Sequence, residues 1–497
     1  MSYLELLKLA APETVVVVTA LAVLTIGLTS TRASVLCPMV AALGIVIAIG
    51  ALLVLPQHAN LFGGMLVISP LNSLFKIICL VLALVTVPLA SSEKSLRNPG
   101  EYLAILLLGA VGLLLLVGSE ELLMIFIGLE LLGLSLYVMA AFDKSDVHSA
   151  EAGLKYFLFG STASAFTLFG ISFVYGMSGT TALAAIGQKL AAGPVQPLLA
   201  VGIVMTLIGF AFKIAAAPFH LWAPDAYQGS PIPSAAFIAS GSKVASFVVL
   251  GKIVLVGFAP ARGSADWHAM VAGWSPVLAV LAALSILLGN FVALAQTNVR
   301  RLLAYSAVAH GGYTLLGILA GGRDGFSATL FYTSIYAVTL VGAFAIVGVV
   351  RRESGGDNLQ NFSGLAARSP FLAGSMSIFL LSLAGLPPLA GFFGKFYLFS
   401  AAFRAGGNHG LLWLVAVALF GSFVSLYYYL IVLKVIFVDQ ASDSGSHSPA
   451  VPKPGEGGPH VTRHLFGEAV VAVLAAAVLF LGIMPQTLAS RIIASLP

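Results

Sequence analysis

The chain has 497 residues, of which 59% are hydrophobic and only 9% charged, and its mean hydropathy is +1.03. A soluble domain has about a quarter of its residues charged, so a soluble enzyme is excluded and a polytopic membrane protein is indicated. The net charge of +5 then reports which loops hold cations, and nucleic-acid binding is a poor explanation of it.

Apolar runs of about 20 residues, the length that crosses a bilayer, predict fourteen helices. The first three lie at 13–30, 34–55 and 71–90; MSYLELLKLAAPE ahead of them shows no Arg-rich transit pattern and no cleavage site, so the first span is expected to stay in the mature protein. Five follow at 102–118, 121–141, 152–177, 197–217 and 234–258, then five at 275–297, 299–321, 326–350, 371–403 and 411–438, and a last one at 466–486. The expected fold is an all-α polytopic membrane protein without a separate soluble domain.

Ionisable residues inside such spans are expensive and mark function. Of the 19 acidic residues, Glu130 in LLMIFIGLELLGLSLYVMAA is the only one in the middle of a span. Lys213, Lys243 and Lys395 also lie well inside apolar stretches. Proline interrupts two helices near two of these lysines. Pro218, Pro224, Pro231 and Pro233 follow Lys213; Pro387 and Pro388, with Gly385, Gly391 and Gly394, surround the approach to Lys395. Proline frees carbonyls that must find other partners, so such breaks line polar cavities. Matching breaks in two halves point to inverted repeats with a site at the midplane. The expected domains are a three-helix segment at 1–101, a first antiporter-like repeat at 102–258 (helices 4–8), a second at 275–438 (helices 9–13), and a cytoplasmic loop with helix 14 at 439–497.

Positive charge retained on the cytoplasmic side sets orientation. One set of loops holds Arg32, Lys94, Arg97, Lys144, Arg300, Arg301, Arg351, Arg352, Arg368, Lys453 and Arg463, and the other Lys8, Lys189, Arg262, Arg323, Arg404 and Arg491. Eleven against six places both termini outside. Cys37 and Cys79 are the only cysteines, too few for a Cys-ligated iron-sulfur cluster. The chain also lacks a dinucleotide fingerprint and a Walker loop.

Four stretches carry a family resemblance: EAGLKYFLFGS, KIAAAPFHLWAPDAYQGSP, RLLAYSAVAHGGY and LAGLPPLAGFFGKFYLF. They resemble the antiporter-like membrane subunits of respiratory complex I, and the likeness runs over essentially the whole chain. The resemblance implies proton translocation in a bacterial inner membrane, driven by electron transfer from NADH to quinone in other subunits. It implies a modulating pair at Glu130 and Lys213, a connecting lysine at Lys243, a relay histidine at His310 and a lysine near the exit at Lys395. Lys155 matches a further lysine of one such subunit. No cofactor is expected on this chain; NADH, FMN, iron-sulfur clusters and quinone are expected on other subunits. The expected partners are neighbouring small membrane-arm subunits, the antiporter-like M subunit and lipid. Multi-subunit cation/proton antiporters share the fold and stay open as an alternative, although one central acid is little for a hard cation; a pure scaffold would not need buried charge in both halves.

Desolvation disfavours a charged lysine and a nearby carboxylate restores it. At about 4 Å and an effective dielectric near 20 that contact is worth about 4 kcal/mol, against about 2.3 kcal/mol per charge for each 100 mV of membrane potential. Making and breaking it would load and unload Lys213, with Lys243, His310 and Lys395 passing the proton on. The competing structural readings are a static ion pair for Glu130 with Lys213, snorkelling for Lys243 and Lys395, and a core histidine for His310. Lys76, Lys252 and Lys434 lie near helix ends and are read as snorkelling; Lys155 fits proton uptake or an ordinary boundary lysine. HLWAPDAYQGSP, with His220, Asp225 and Tyr227, reads as a capped break or a contact surface. SDSGSHSPAVPKPGEGGPHVTRH, with His447, His460 and His464, reads as a flexible linker.

Overall fold

The computed structural model describes residues 3–93, 95–405, 409–439 and 459–496. Two of the loop cations, Lys94 and Lys453, and the linker histidine His447 lie outside the described residues. Among those described, eleven helices are long and apolar enough to cross a membrane, or twelve with the pair Gly467–Ile483 and Gln486–Ser495, which bends by 79°. The sequence predicts fourteen, and the difference falls at the proline breaks. The span predicted at 197–217 ends as a helix at Lys213 (Pro197–Lys213), and that predicted at 371–403 divides into Pro370–Ala384 and Ala390–Arg404. The last long helix, Pro459–Ile483, starts within the predicted linker, so the backbone at His460 and His464 is helical.

Burial sorts the helices into a centre and a periphery. In Val299–Ala320, Gly322–Ser354 and Ile232–Gly257, 94% of the apolar window is buried inside the chain, against 33% in Ala11–Thr29, Ala33–Val54 and Val147–Ser178. A helix apolar all round can be buried by protein or by lipid, and the two groups represent these cases. The central three hold Lys243 and His310, so those side chains are enclosed by protein. A short antiparallel hairpin, Ala59–Leu61 with Leu66–Ile68, closes one end near Glu120.

Close helix contacts depend on small residues, as they do where the solvent is as apolar as the side chains. Val147–Ser178 and Pro197–Lys213 approach so closely that a Cβ at Gly209 would lie 1.6 Å from Thr167 Oγ1. This contact brings the helix carrying Lys213 against the one carrying Ser164, beside Glu130.

Candidate functional site

The first break is held from several sides. After Lys213 the chain turns through Ala215 at φ 58, and Ala217 N–H donates to Ser285 Oγ at 2.8 Å. Trp222 Nε1 donates at 3.0 Å to the Phe212 carbonyl, which also accepts the Ala215 N–H at 2.9 Å where the last turn tightens. A Cβ at Gly311 would meet the Ile214 carbonyl at 3.3 Å, so the break lies against the helix that carries His310. Lys213 is therefore the last residue of its helix and 5% exposed, at an end where the helix dipole favours a cation.

Glu130 and Lys213 line one small cavity of about 20 Å³ together with Tyr137, Ser164 and Thr167. They are not in ion-pair contact: Glu130 accepts a hydrogen bond from Ser164 Oγ, and the ion pairs of the described residues do not join it to Lys213. The full contact energy expected at about 4 Å is therefore not realised in this conformation. Ser164, on the facing helix, was not among the residues legible as functional, because a serine in a span usually bonds its own helix.

The second break satisfies itself through its lysine. Gly385, at φ 88, terminates Pro370–Ala384, and Lys395 Nζ reaches back from the next helix to donate to the Ala384 carbonyl and to Ser422 Oγ, both at 2.9 Å. Its Nζ also lies 5.1 Å from the centroid of the Tyr313 ring. Snorkelling is excluded for Lys395 and Lys243 within this chain, since they are 4% and 2% exposed.

Between the breaks, ring contacts join the remaining groups. Lys243 Nζ donates to the Ala307 carbonyl at 2.6 Å and sits 5.3 Å from the Tyr336 centroid. The Tyr336 and His310 ring centroids are 5.1 Å apart, and those of His310 and Tyr313 are 5.5 Å apart. The sequence Lys243, Tyr336, His310, Tyr313, Lys395 is thus a continuous line of contacts. His310 also meets the Tyr332 hydroxyl through Nδ1 at 2.6 Å and the Tyr429 hydroxyl through Nε2 at 3.2 Å. Neutral imidazole has one donor and one acceptor nitrogen, and a hydroxyl can serve either, so both tautomers fit. Both ring nitrogens of His310 therefore face tyrosine hydroxyls.

Lys155 is placed apart from this line. Its side chain is 39% exposed and pairs with Glu151 at 2.6 Å and Asp225 at 2.8 Å. Asp225 also receives Arg301 Nη1 at 2.6 Å, so the half-helix Trp222–Gly229 is tied to both halves of the molecule. Burial would raise the Asp225 carboxyl, but the hydrogen bonds from Lys155 and Arg301 outweigh it and hold the group below the ordinary carboxylate value. Arg300, counted from the sequence as a loop cation, is 3% exposed, pairs with Asp357 and donates to the Ser230 carbonyl at 2.8 Å.

Snorkelling holds for neither Lys76 nor Lys252. Lys76 is 2% exposed and pairs with Glu13 at 2.6 Å, and Lys252 is 5% exposed and donates to Asn72 Oδ1 at 2.6 Å. Lys434 is exposed. An acid at the start of the first predicted span and a lysine inside the third were the available signal for the Glu13 and Lys76 pair.

Residues 119–425 match the family described as "NADH:quinone oxidoreductase/Mrp antiporter, TM". The chain is 46% identical to NADH-quinone oxidoreductase subunit N 2 of Acidobacterium capsulatum, over 88% of this chain and 91% of that one. It is 38% identical to NADH-quinone oxidoreductase subunit N of Desulfovibrio desulfuricans, over 96% and 94%. Among solved structures it resembles a chain of respiratory complex I from Thermus thermophilus with bound aureothin, at 31% identity and TM-score 0.77, covering 96% of this chain and 98% of that one. A chain of the Mrp complex from Dietzia shares the fold, with TM-score 0.82, 22% identity and coverage of 98% and 97%.

Proposed function

Because the chain belongs to the NADH:quinone oxidoreductase/Mrp antiporter transmembrane family, we propose that it is a proton-translocating membrane-arm subunit of an NADH:quinone oxidoreductase. It spans the membrane fourteen times, the proline-broken helices included, with 102–258 and 275–438 as inverted five-helix repeats. NADH, FMN, iron-sulfur clusters and quinone belong to other subunits, and its partners are the neighbouring membrane-arm subunits, the M subunit among them.

The observation that carries this reading is the line of contacts from Lys243 through His310 to Lys395, buried between two broken helices. Among the described residues, the hydroxyls of Tyr336 and Tyr227 are buried without a hydrogen-bond partner. An unsatisfied buried polar group costs about 1–3 kcal/mol, so their presence favours a hydrated axis over dry packing. Lys155, tied to Asp225 at one end, takes the uptake role. In the conformation described, Ser164 holds Glu130 away from Lys213. When Glu130 leaves Ser164 for Lys213, the lysine is loaded; when it returns, the proton passes to Lys243, His310 and Lys395, each of which can hold or give up a proton within its existing contacts.

The test is Lys213→Ala in the assembled complex, with proton pumping measured beside NADH-dependent quinone reduction. Pumping is expected to fall more than reduction, and undiminished pumping overturns the reading. Purification from native membrane separates it from a free-standing cation antiporter: flavin and iron-sulfur subunits accompany a complex I subunit, and only small antiporter subunits accompany the other.

A further inference from the structure

A second group of ionisable residues lies outside the line from Glu130 to Lys395, among the first helices and the end of Gly241–Lys252. Lys76 and Glu13 pair at 2.6 Å, and both are buried. One turn before Lys76, Asn72 donates through Nδ2 to the Val67 carbonyl at 2.8 Å, which fixes its amide so that Oδ1 accepts from Lys252 at 2.6 Å. Lys252 also donates to the Val117 carbonyl at 2.8 Å. Gly118 follows, and a Cβ there would lie 2.7 Å from Lys76 Nζ. The two lysines thus touch the 117–119 segment from two directions, and any side chain at 118 would displace one of them.

Two features separate this cluster from static packing. Glu13 Oε2 is buried and has no hydrogen-bond partner among the described residues, although the other oxygen is paired. Leaving a carboxylate oxygen unsatisfied is costly, and an oxygen that is protonated in part of a cycle is one reason to retain it. The second feature is Lys252. Its two short bonds, to Asn72 and Val117, use two N–H groups, which a neutral amine also has. For the third proton of the ammonium the described residues offer only the Ser119 carbonyl at 3.5 Å and the Glu120 carboxylate at 3.9 Å. Glu120 is half exposed, and with Lys252 it lines a cavity of about 1090 Å³ that His58 and Ser69 also border.

We propose that Glu13, Lys76, Lys252 and Glu120 form a second proton-exchange site, opening through this cavity to the side of the membrane that bears the 59–68 hairpin. It rests on the proton-translocating reading above. In the exchange the third Nζ–H bond of Lys252 breaks, an O–H bond forms on Glu120 through one intervening water, and Glu120 releases that proton to the cavity. Lys252 is left as a neutral amine with both short bonds intact. Behind it, the buried pair holds one shared proton, on Lys76 Nζ or on Glu13, and changes no net charge when the proton moves between them. The ligand of the site is the proton, delivered by water.

The test uses the intact complex carrying Glu13→Gln or Glu120→Gln in sealed proteoliposomes, with Lys213→Ala alongside. Infrared difference spectra across a pH step are expected to contain a carboxyl signal that shifts in D2O and is lost in Glu13→Gln. Single-turnover proton release at the cavity face is expected to slow on the order of a hundredfold in Glu120→Gln, the low end for loss of a positioned proton-transfer group. An unchanged spectrum in Glu13→Gln, or a carboxyl signal that ignores D2O, makes the pair a static ion pair and overturns the proposal. So does wild-type release in Glu120→Gln while Lys213→Ala is impaired. Intact pumping in Lys213→Ala sinks the broader function instead. If Glu13→Gln fails to assemble, the Glu120→Gln release rate decides the matter, because that half-exposed side chain leaves the buried pair untouched.

Discussion

At the first break Lys213 ends its helix in a cavity shared with a carboxylate that a serine holds, whereas at the second Lys395 is bonded to a backbone carbonyl and a hydroxyl with a tyrosine face behind it. Both lysines lie where proline interrupts a helix, Lys213 at the end of Pro197–Lys213 and Lys395 reaching back to the end of Pro370–Ala384. They differ in what can change. An anion that moves alters the charge balance at Lys213 without moving the lysine, while the acceptors around Lys395 are neutral and two in number, matching the two N–H groups of an uncharged amine. Under the proposed proton-translocating function, this difference assigns the control element to the first half and, to the second, a station that tolerates either protonation state.

The strongest way to break that asymmetry is to give the second station a fixed anion. Ser422→Asp would place a carboxylate where the 2.9 Å hydroxyl now stands, and an ion pair there is worth about 4 kcal/mol at about 4 Å with an effective dielectric near 20. Proton release is then expected to slow by about a thousandfold, with NADH oxidation and pumping measured together in proteoliposomes. Unchanged pumping would show that Lys395 does not need to discharge.

Removing the movable anion is the converse change. Glu130→Gln keeps the size and a hydrogen-bonding end but cannot alternate as a charge, so the ratio of protons moved to NADH oxidised should drop, by less than in Ser422→Asp because Lys213 keeps its helix-end support. A smaller effect isolates the switch itself. Ser164→Ala removes a hydrogen bond to a charged group, worth about 1.5–3 kcal/mol, and should shift Glu130 toward Lys213 by about tenfold or more. Infrared spectra of the carboxylate, compared with those of Glu130→Gln, would report the shift; a spectrum identical to that of the unaltered protein would mean that Ser164 is not the resting partner.

Much of this contrast was readable from residue type and span position. An acid or lysine in mid-span has few structural explanations, so Glu130, Lys213, Lys243 and Lys395 stood out, as did both breaks, since proline acts locally. Ser164, Tyr313, Tyr332 and Tyr336 did not, because serine and tyrosine are common in membrane helices and only packing decides which of them meets a histidine or a lysine. For Lys76 and Lys252 the sequence reports closeness to a helix end, which is not closeness to water. The fold buries those ends under the hairpin and under other helices, which single-helix reasoning cannot see. The helix count differs for a related reason: a long apolar run with prolines in it is one span in hydropathy and two shorter helices in backbone geometry.

The smallest effect belongs to the ion-paired hub at Asp225, which joins the two halves. Its carboxyl lies below its ordinary value in the folded protein because Lys155 and Arg301 outweigh the burial that would raise it. A depressed carboxyl contributes stability that is fully present above the unfolded value, about 3.9, and is lost as pH falls through the folded value. The chain should therefore lose stability on the acid side as Asp225 is protonated. Asp225→Asn should lower stability slightly at neutral pH and flatten this acid limb, since the pairs are partly exposed and such pairs are weak. Thermal unfolding of the detergent-solubilised complex across an acid pH series reads the difference. A variant whose acid limb parallels that of the unaltered chain would remove Asp225 as a tie between the first break and the Val299–Ala320 helix, leaving the Gly311 contact with Ile214 to join them.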